Sequence, residues 1–378
     1  MNPLLGDYHD LALWVESQCK RSLSFLDDRW KDVAEWKAAA RAKVMELLAY
    51  EPPACNLDPR VHRVDEKGGI VTELVSWAQP FGPRTEAFVV HPAGRRTATL
   101  PGVVALHDHS AFKYFGKEKL VVCGDEPRAL AELKRETYAG KSWANELAAR
   151  GYVVVVPDSF LWGSRKMSPE SVPQGDALRV LREAPGSDAY IDAYNELAAD
   201  YETIIAKTLF LSGATWTGIM AWEDRRAVDY LVTRADVDAS RLGCGGLSGG
   251  GLRTIYLAAL DDRIRCAVCS GFMSTAREML SEKVRRHTWM FQVPHLSALL
   301  DLPDVASLHG PLPLMVQCDR DDPLWTLEGQ ERACSRIAAC YDKMGARESF
   351  SGQFYPGPHK FDLPMQKDAF DWFDAALR

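Results

Sequence analysis

Gly246-Leu247-Ser248-Gly249-Gly250 decides how this chain is read. The stretch has the form Gly-x-Ser-x-Gly. Before it, Arg241-Leu242-Gly243-Cys244-Gly245 reads as a short buried strand; after it, residues 251–260 read as a helix. A serine on a strand-to-helix turn is held in a strained backbone conformation, with its hydroxyl projecting from the sheet. Glycines two before and two after let the two backbone arms pass without a Cβ clash. A phosphate-binding loop is the competing reading of such a glycine cluster. That loop needs a Lys-Ser/Thr pair, and none follows Gly251.

On either side of this turn the chain alternates between apolar runs and helical segments. Gly102-Val103-Val104-Ala105-Leu106 and Tyr152-Val153-Val154-Val155-Val156 are near-continuous apolar runs, as expected of parallel strands covered on both faces. Residues 242–245, 264–269 and 312–317 supply three more. Upstream, residues 70–75 and 85–90 read as an antiparallel entry into the same sheet. The pattern predicts a doubly wound, mostly parallel α/β sheet. Residues 8–50 read as helical, with Trp30, Val33, Ala34, Ala38, Val44, Leu47 and Leu48 near helical spacing, and Pro52-Pro53 closes that region. The expected organisation is an N-terminal helical extension over 1–53 and a catalytic domain over 54–378. Two connections, at about 112–141 and 162–216, are long enough to be inserts. Both should emerge at the carboxyl edge of the sheet as lid or pocket wall.

The bulk composition excludes several classes. In 378 residues, 47% are hydrophobic and 26% charged, ordinary for a soluble globular protein with a large core. The net charge of -7, without a basic block, argues against nucleic acid or an anionic membrane as partner. No apolar run is long enough to span a bilayer. Met1 to Asp7 lacks the basic start and apolar run of a secretory leader, so a cytoplasmic location is expected. The nine cysteines are odd in number and irregular in spacing, which fits free thiols. Cys266 and Cys269 have C-x-x-C spacing but lie on a strand, where they point to opposite faces and make a poor metal or redox pair.

A serine hydroxyl needs a base, and the base an orienting acid. After an elbow serine the acid follows on a later strand and the histidine near the C-terminus. Leu314-Met315-Val316-Gln317 is such a strand, and the turn after it holds Asp319, Asp321 and Asp322. Asp322, directly before Pro323, is favoured as the acid, with Asp321 as the alternative. His359 lies in the loop Tyr355-Pro356-Gly357-Pro358-His359, whereas His287, His295 and His309 all precede the acid strand. Two backbone amides are needed for the oxyanion. One is that of Gly249. The other comes from the loop His107-Asp108-His109-Ser110, with His109 favoured and Asp108 or Ser110 as alternatives. Adjacent histidines in one short turn make a weak zinc site, so no metal and no cofactor are expected.

These residues resemble the α/β-hydrolase superfamily, and more narrowly its dienelactone-hydrolase and acetyl-xylan-esterase-like branch. The resemblance covers roughly residues 28–378. It rests on Leu106-His107-Asp108-His109, on residues 148–158, 224–231 and 237–243, on Leu302-Pro303-Asp304-Val305, on Asp322-Pro323-Leu324, and on Gly357-Pro358-His359-Lys360-Phe361. It implies an α/β-hydrolase fold and acyl transfer through Ser248, His359 and Asp322. Asp108 departs from the small residue usual after the loop histidine, and the acid turn is unusually rich in aspartate.

The expected activity is serine-dependent cleavage of a small-molecule carboxylic ester. A peptidase or amidase with the same triad, and a catalytically silent binder on the same fold, are the alternatives. Trp325, Trp162, Tyr114, Trp216 and Phe112 are candidates for a pocket or sugar platform, although core packing is their commoner use. Lys113, Lys117, Lys119 and Arg165 could meet an anionic substrate, with a solvated face the plainer reading. A homo-oligomer remains compatible with the sequence.

Overall fold

The computed structural model describes residues 5–94, 99–124 and 126–378, so Met1 to Leu4 of the N-terminal stretch lie outside it. Its strands are β1 (Arg60–Lys67), β2 (Ile70–Trp77), β3 (Thr85–Pro92), β4 (Leu100–Leu106), β5 (Val153–Pro157), β6 (Val237–Leu247), β7 (Ile264–Ser270), β8 (Leu314–Asp319) and β9 (Phe350–Tyr355). They form one sheet in the order β1-β2-β3-β5-β4-β6-β7-β8-β9. From β1 to β5 the neighbours are antiparallel, and from β5 to β9 they are parallel. After β4 the chain moves to one side for β5 and returns to the other for β6. The crevice between the carboxyl ends of β4 and β6 is therefore the switch point, where such sheets bind ligands.

Two strands escape the pattern reading. Every residue of β1 is exposed, and its charges suit an edge strand. The middle of β9, Ser351-Gly352-Gln353, is polar and lies on the opposite edge. The helical reading of residues 8–50 also needs correction. Helices cover only α1 (His9–Ser17) and α2 (Val33–Leu48). Between them the backbone is spent elsewhere: the amides of Arg21 and Leu23 donate to the carbonyls of Ala298 and Leu299. Asp32 then caps α2 by accepting from the Glu35 amide at 2.8 Å.

Helices cover both faces of the sheet. On one side Trp36, Ala40, Val44 and Leu48 of α2 share a core with α7 (Trp216–Thr233) and α8 (Gly249–Leu260). On the other, the helix Leu363–Leu377 packs with α4 (Trp143–Ala149). Cys266 belongs to the second core and Cys269 to the first, as strand alternation requires. The segment after β4 contains α3 (Arg128–Tyr138), and the segment after β5 contains α5 (Gln174–Leu181) and α6 (Asp188–Leu211). Helix α7 starts at Trp216, where Thr215 Oγ1 accepts from the Gly218 amide and donates to the Leu48 carbonyl. Among the described residues, no single helix is long and apolar enough to cross a membrane.

At the crossing of β6 into α8 the backbones are too close for side chains. A Cβ on Gly246 would fall 2.9 Å from Gly250 Cα, and nearer still to the Leu106 carbonyl oxygen. Gly246→Ala should therefore destabilise the protein by about 3 kcal/mol, the upper end of ordinary overpacking. Urea unfolding would check this, and a loss under about 0.5 kcal/mol, within the range of unremarkable surface changes, would contradict the crowding described.

Candidate active site

Ser248 sits between β6 and α8 with φ 58° and ψ −122°. Left-handed φ at a non-glycine residue is strained and persists only where the surroundings impose it. Here the Ser248 amide donates to the Ser270 carbonyl at 2.8 Å, while its own carbonyl accepts from Leu252 at 3.0 Å and starts α8. The turn thus ties β6, β7 and α8 at one residue, leaving Ser248 half-buried at the carboxyl edge.

The acid turn follows β8. Asp322 Oδ2 accepts from His359 Nδ1 at 2.6 Å, and its Oδ1 accepts from the Leu324 amide at 2.8 Å. Asp321 does something else. Its carboxylate accepts from the Gly357 amide at 3.0 Å and its amide donates to the Gly357 carbonyl, so it ties the acid turn to the histidine loop. The choice left open between the two aspartates therefore falls geometrically on Asp322. Asp319, buried at the end of β8, accepts from the Lys360 amide with Oδ2, whereas its Oδ1 is buried without a partner. Burial pushes the Asp319 carboxyl up to about 7. Burial also opposes charge on His359, but the Asp322 hydrogen bond and the nearby Asp322, Asp319 and Asp108 charges outweigh it and raise its pKa. Asp319, Asp322 and His359 offer ligand atoms within 4.8 Å of one another.

The imidazole lies beside the serine strand. A Cβ on Gly271 would meet both His359 Cε1 and Leu247 Cδ1 at 2.9 Å. His359 Nε2 is buried with no hydrogen-bond partner, so the bond to Ser248 is not made in this resting geometry. Such bonds are often long before substrate binds.

Facing the serine is the loop after β4. A Cβ on Gly249 would lie 3.0 Å from His109 N, which puts the two expected oxyanion donors side by side. The loop is clamped by buried charge. Lys119 Nζ donates to the Asp108 carbonyl at 2.9 Å, to Asp108 Oδ2 at 3.1 Å and to the His109 carbonyl at 3.3 Å. Tyr138 donates to the same carboxylate. Burial alone would raise the Asp108 pKa, but Lys119 holds it below the usual range. Burial pushes His107 down to about 3, and its neutral ring donates through Nδ1 to the Asp108 carbonyl and accepts the Ser159 amide at Nε2.

The insert helix α6 completes the clamp. His109 Nε2 donates to Glu202 Oε1 at 2.6 Å, and buried Lys113 pairs with the same carboxylate. Asn195 Oδ1 accepts the amides of Lys113 and Tyr114 at 2.8 and 3.0 Å. Glu202 is opposed by burial, yet His109 and Lys113 hold it down at about 2. Glu202, Asn195 and Asp319 were not singled out from the sequence, apart from Asp319 as one of three turn aspartates.

Of the candidate platform residues, Trp162 and Trp325 are buried and Tyr114 is half-buried. Trp162 is buried against His109 and Trp216, with its Nε1 donating to the His109 carbonyl at 3.4 Å. Trp325 is buried against Phe272 and His287, with Nε1 donating to the Gly271 carbonyl at 3.0 Å. Both rings back the site walls and present almost no surface. Tyr114 packs among Tyr190, Tyr194 and Phe115. Lys113, Lys117, Lys119 and Arg165 are neither solvated nor free, being buried in pairs with Glu202, Asp158, Asp108 and Glu223. The absence of a basic block also overlooked a short run, Lys283-Val284-Arg285-Arg286, close to the acid turn.

No family model matches the chain. A Bacillus subtilis (strain 168) protein named "Putative hydrolase YtaP" is 24% identical over 317 residues, 83% of this chain and 91% of that one. Among solved structures, a Bacteroides fragilis NCTC 9343 protein described as a putative acetyl xylan esterase superposes with a TM-score of 0.70 at 16% identity, covering 93% of this chain and 83% of its own. A glucuronoyl esterase from Solibacter usitatus superposes with a TM-score of 0.61 at 16% identity, covering 91% and 92%. With the sheet order and the elbow, these likenesses establish the α/β-hydrolase fold.

Removing Glu202 leaves Lys113 buried without a counter-charge. Glu202→Ala should cost about 3–5 kcal/mol in urea unfolding, and the Lys113→Met/Glu202→Leu pair should recover most of it. Equal stability of Glu202→Ala and wild type would show that the clamp is not formed.

Proposed function

We propose that this protein is a serine hydrolase that cleaves a carboxylic ester of a small molecule. The observation that carries the reading is the 2.6 Å contact of Asp322 with His359 next to a strained serine elbow. The Gly249 and His109 amides, brought together on the other side of Ser248, add to it. The esterase descriptions of the two structural neighbours point the same way.

In this reading His359 Nε2 takes the Ser248 proton as Oγ attacks the ester carbonyl. The electron pair displaced onto the carbonyl oxygen is held by the Gly249 and His109 amides. Collapse expels the alcohol, which takes its proton from His359. A water deprotonated by His359 then attacks the acyl-enzyme, and as the acid leaves, Ser248 Oγ takes that proton back from His359. Asp322 fixes the imidazole tautomer and stabilises its cation. Acetylated and other short-chain esters, as hydrolysed by acetyl-xylan-esterase-like enzymes, are the proposed substrate class.

Hydrolysis of p-nitrophenyl acetate, butyrate and octanoate by wild type and Ser248→Ala tests the reading. Turnover should fall by on the order of 10⁴-fold or more in the variant. Folded wild type that hydrolyses none of them, or equal rates in both proteins, would defeat it.

The same assay separates the aspartates. Asp322→Asn should lose on the order of 10⁴-fold in kcat, and Asp321→Asn far less. The base works only when neutral, and its pKa lies above the ordinary histidine value. The wild-type rate should therefore rise with pH through that raised pKa. In Asp322→Asn the residual activity should titrate at lower pH, because the attracting charge is gone. An acid limb that stays in place would remove Asp322 from this role.

A further inference from the structure

We propose that a groove beside the Lys283–His287 turn takes a carboxylate carried by the ester substrate. The inference rests on the ester-hydrolase reading and names a substrate class for it.

The groove encloses about 570 Å³, within the range of small-molecule sites. Arg285, His287, Trp289, Gln292, His295 and Phe210 are among its lining residues, and among the described residues no Asp or Glu lines it. That is notable in a chain with net charge -7. Arg285 and Arg286 are exposed. Among the described residues neither makes an ion pair or hydrogen bond, whereas Arg165, Arg234, Arg253 and Arg263 are all held by carboxylates. A guanidinium offers parallel donors that fit a carboxylate edge.

Contacts at both sides connect the groove to the candidate site. The His287 and Trp325 rings pack tilted with centroids 4.2 Å apart, Trp325 donates to the Gly271 carbonyl, and Gly271 abuts His359. Lys283 Nζ donates to the Pro323 carbonyl at 2.8 Å, docking the basic turn on the residue after Asp322. On the other wall, Trp289 Nε1 donates to Thr203 Oγ1 at 3.1 Å, one residue from the Glu202 that holds His109. Phe210, roughly 10 Å further along α6 from Thr203, lines the groove. The groove thus lies beside both the His359 wall and the oxyanion wall, next to the basic turn. A substrate with its ester at Ser248 and an anionic end in the groove meets guanidinium charge that no described carboxylate pairs.

The test compares charged esters with neutral twins, each normalised to its spontaneous hydrolysis. Mono-p-nitrophenyl glutarate against p-nitrophenyl valerate places the charge on the acyl side. 4-Acetoxybenzoate against its methyl ester places it on the alcohol side. In wild type, kcat/KM should favour the charged member of at least one pair by on the order of tenfold, mostly through KM. The preference should shrink in 1 M NaCl and vanish in Arg285→Ala/Arg286→Ala, survive in part in Arg285→Lys/Arg286→Lys, and leave the neutral esters unchanged. No preference in either pair, or a preference that survives the double alanine variant, overturns the groove proposal while ester hydrolysis stands. If folded wild type hydrolyses none of the four, the ester-hydrolase reading fails instead. Calorimetric titration with glutarate then decides the groove, since binding lost in the double alanine variant supports it and no binding to wild type overturns it.

Discussion

The carbonyl of Leu106 and the two glycines that cross it, Gly246 and Gly250, set the dimensions of the whole centre. Strand β4 runs parallel to β6 with Leu106 opposite Gly246. The turn into α8 must then pass directly over the end of β4. Only backbone fits in that gap. The consequence is that Ser248, Gly249 and the loop after β4 are brought together by main-chain packing rather than by side-chain choice. The strain at Ser248 is imposed by the same crossing, because β7 and α8 each hold one of its backbone groups.

A second layer of constraint is electrostatic. The loop after β4 begins with His107-Asp108-His109, and residues from an insert or a helix behind it hold its side chains and carbonyls. Lys119 and Tyr138 hold Asp108, Glu202 holds His109, and Arg253, itself paired with Asp224, reaches the His107 carbonyl at 3.4 Å. Buried ion pairs contribute little net stability compared with apolar packing, yet they are intolerant of a missing partner. Placed around a backbone donor, they restrict the loop to one arrangement. The insert after β5 is thus part of the site's frame, since α6 reaches the loop through Glu202 and Asn195.

What could be read from the sequence follows from which signals are local. The central strands announce themselves as continuous apolar runs, and the elbow as a glycine pattern. Chain order alone picks out His359. Strand β1 is silent because an edge strand exposed along its whole length needs no apolar face. The break between α1 and α2 is silent because its cause is backbone pairing with residues 298 and 299. Glu202 is invisible for the same kind of reason, lying 93 residues from His109 on a helix whose register no motif marks. Trp162 and Trp325 lie on segments that border the site, but an indole that finds a backbone carbonyl for its N–H is free to be buried. Exposure, unlike position, could not be read from the residue type.

The acid turn shows how a sequence ambiguity dissolves into a division of labour. Three aspartates within four residues look redundant, and three carboxylates charged beside one imidazole would repel one another. The turn avoids this by giving each a different environment. Asp321 is exposed and spends its charge on the Gly357 amide, which fixes where the histidine loop begins. Asp319 is buried with one oxygen unanswered, and its raised pKa keeps part of its population neutral near pH 7. Asp322 alone meets His359 Nδ1, with its second oxygen held by the Leu324 amide so that the carboxylate cannot rotate away. One carboxylate therefore hydrogen-bonds the imidazole, Asp321 fixes the loop that carries it, and Asp319 adds a weaker, unbonded charge beside it.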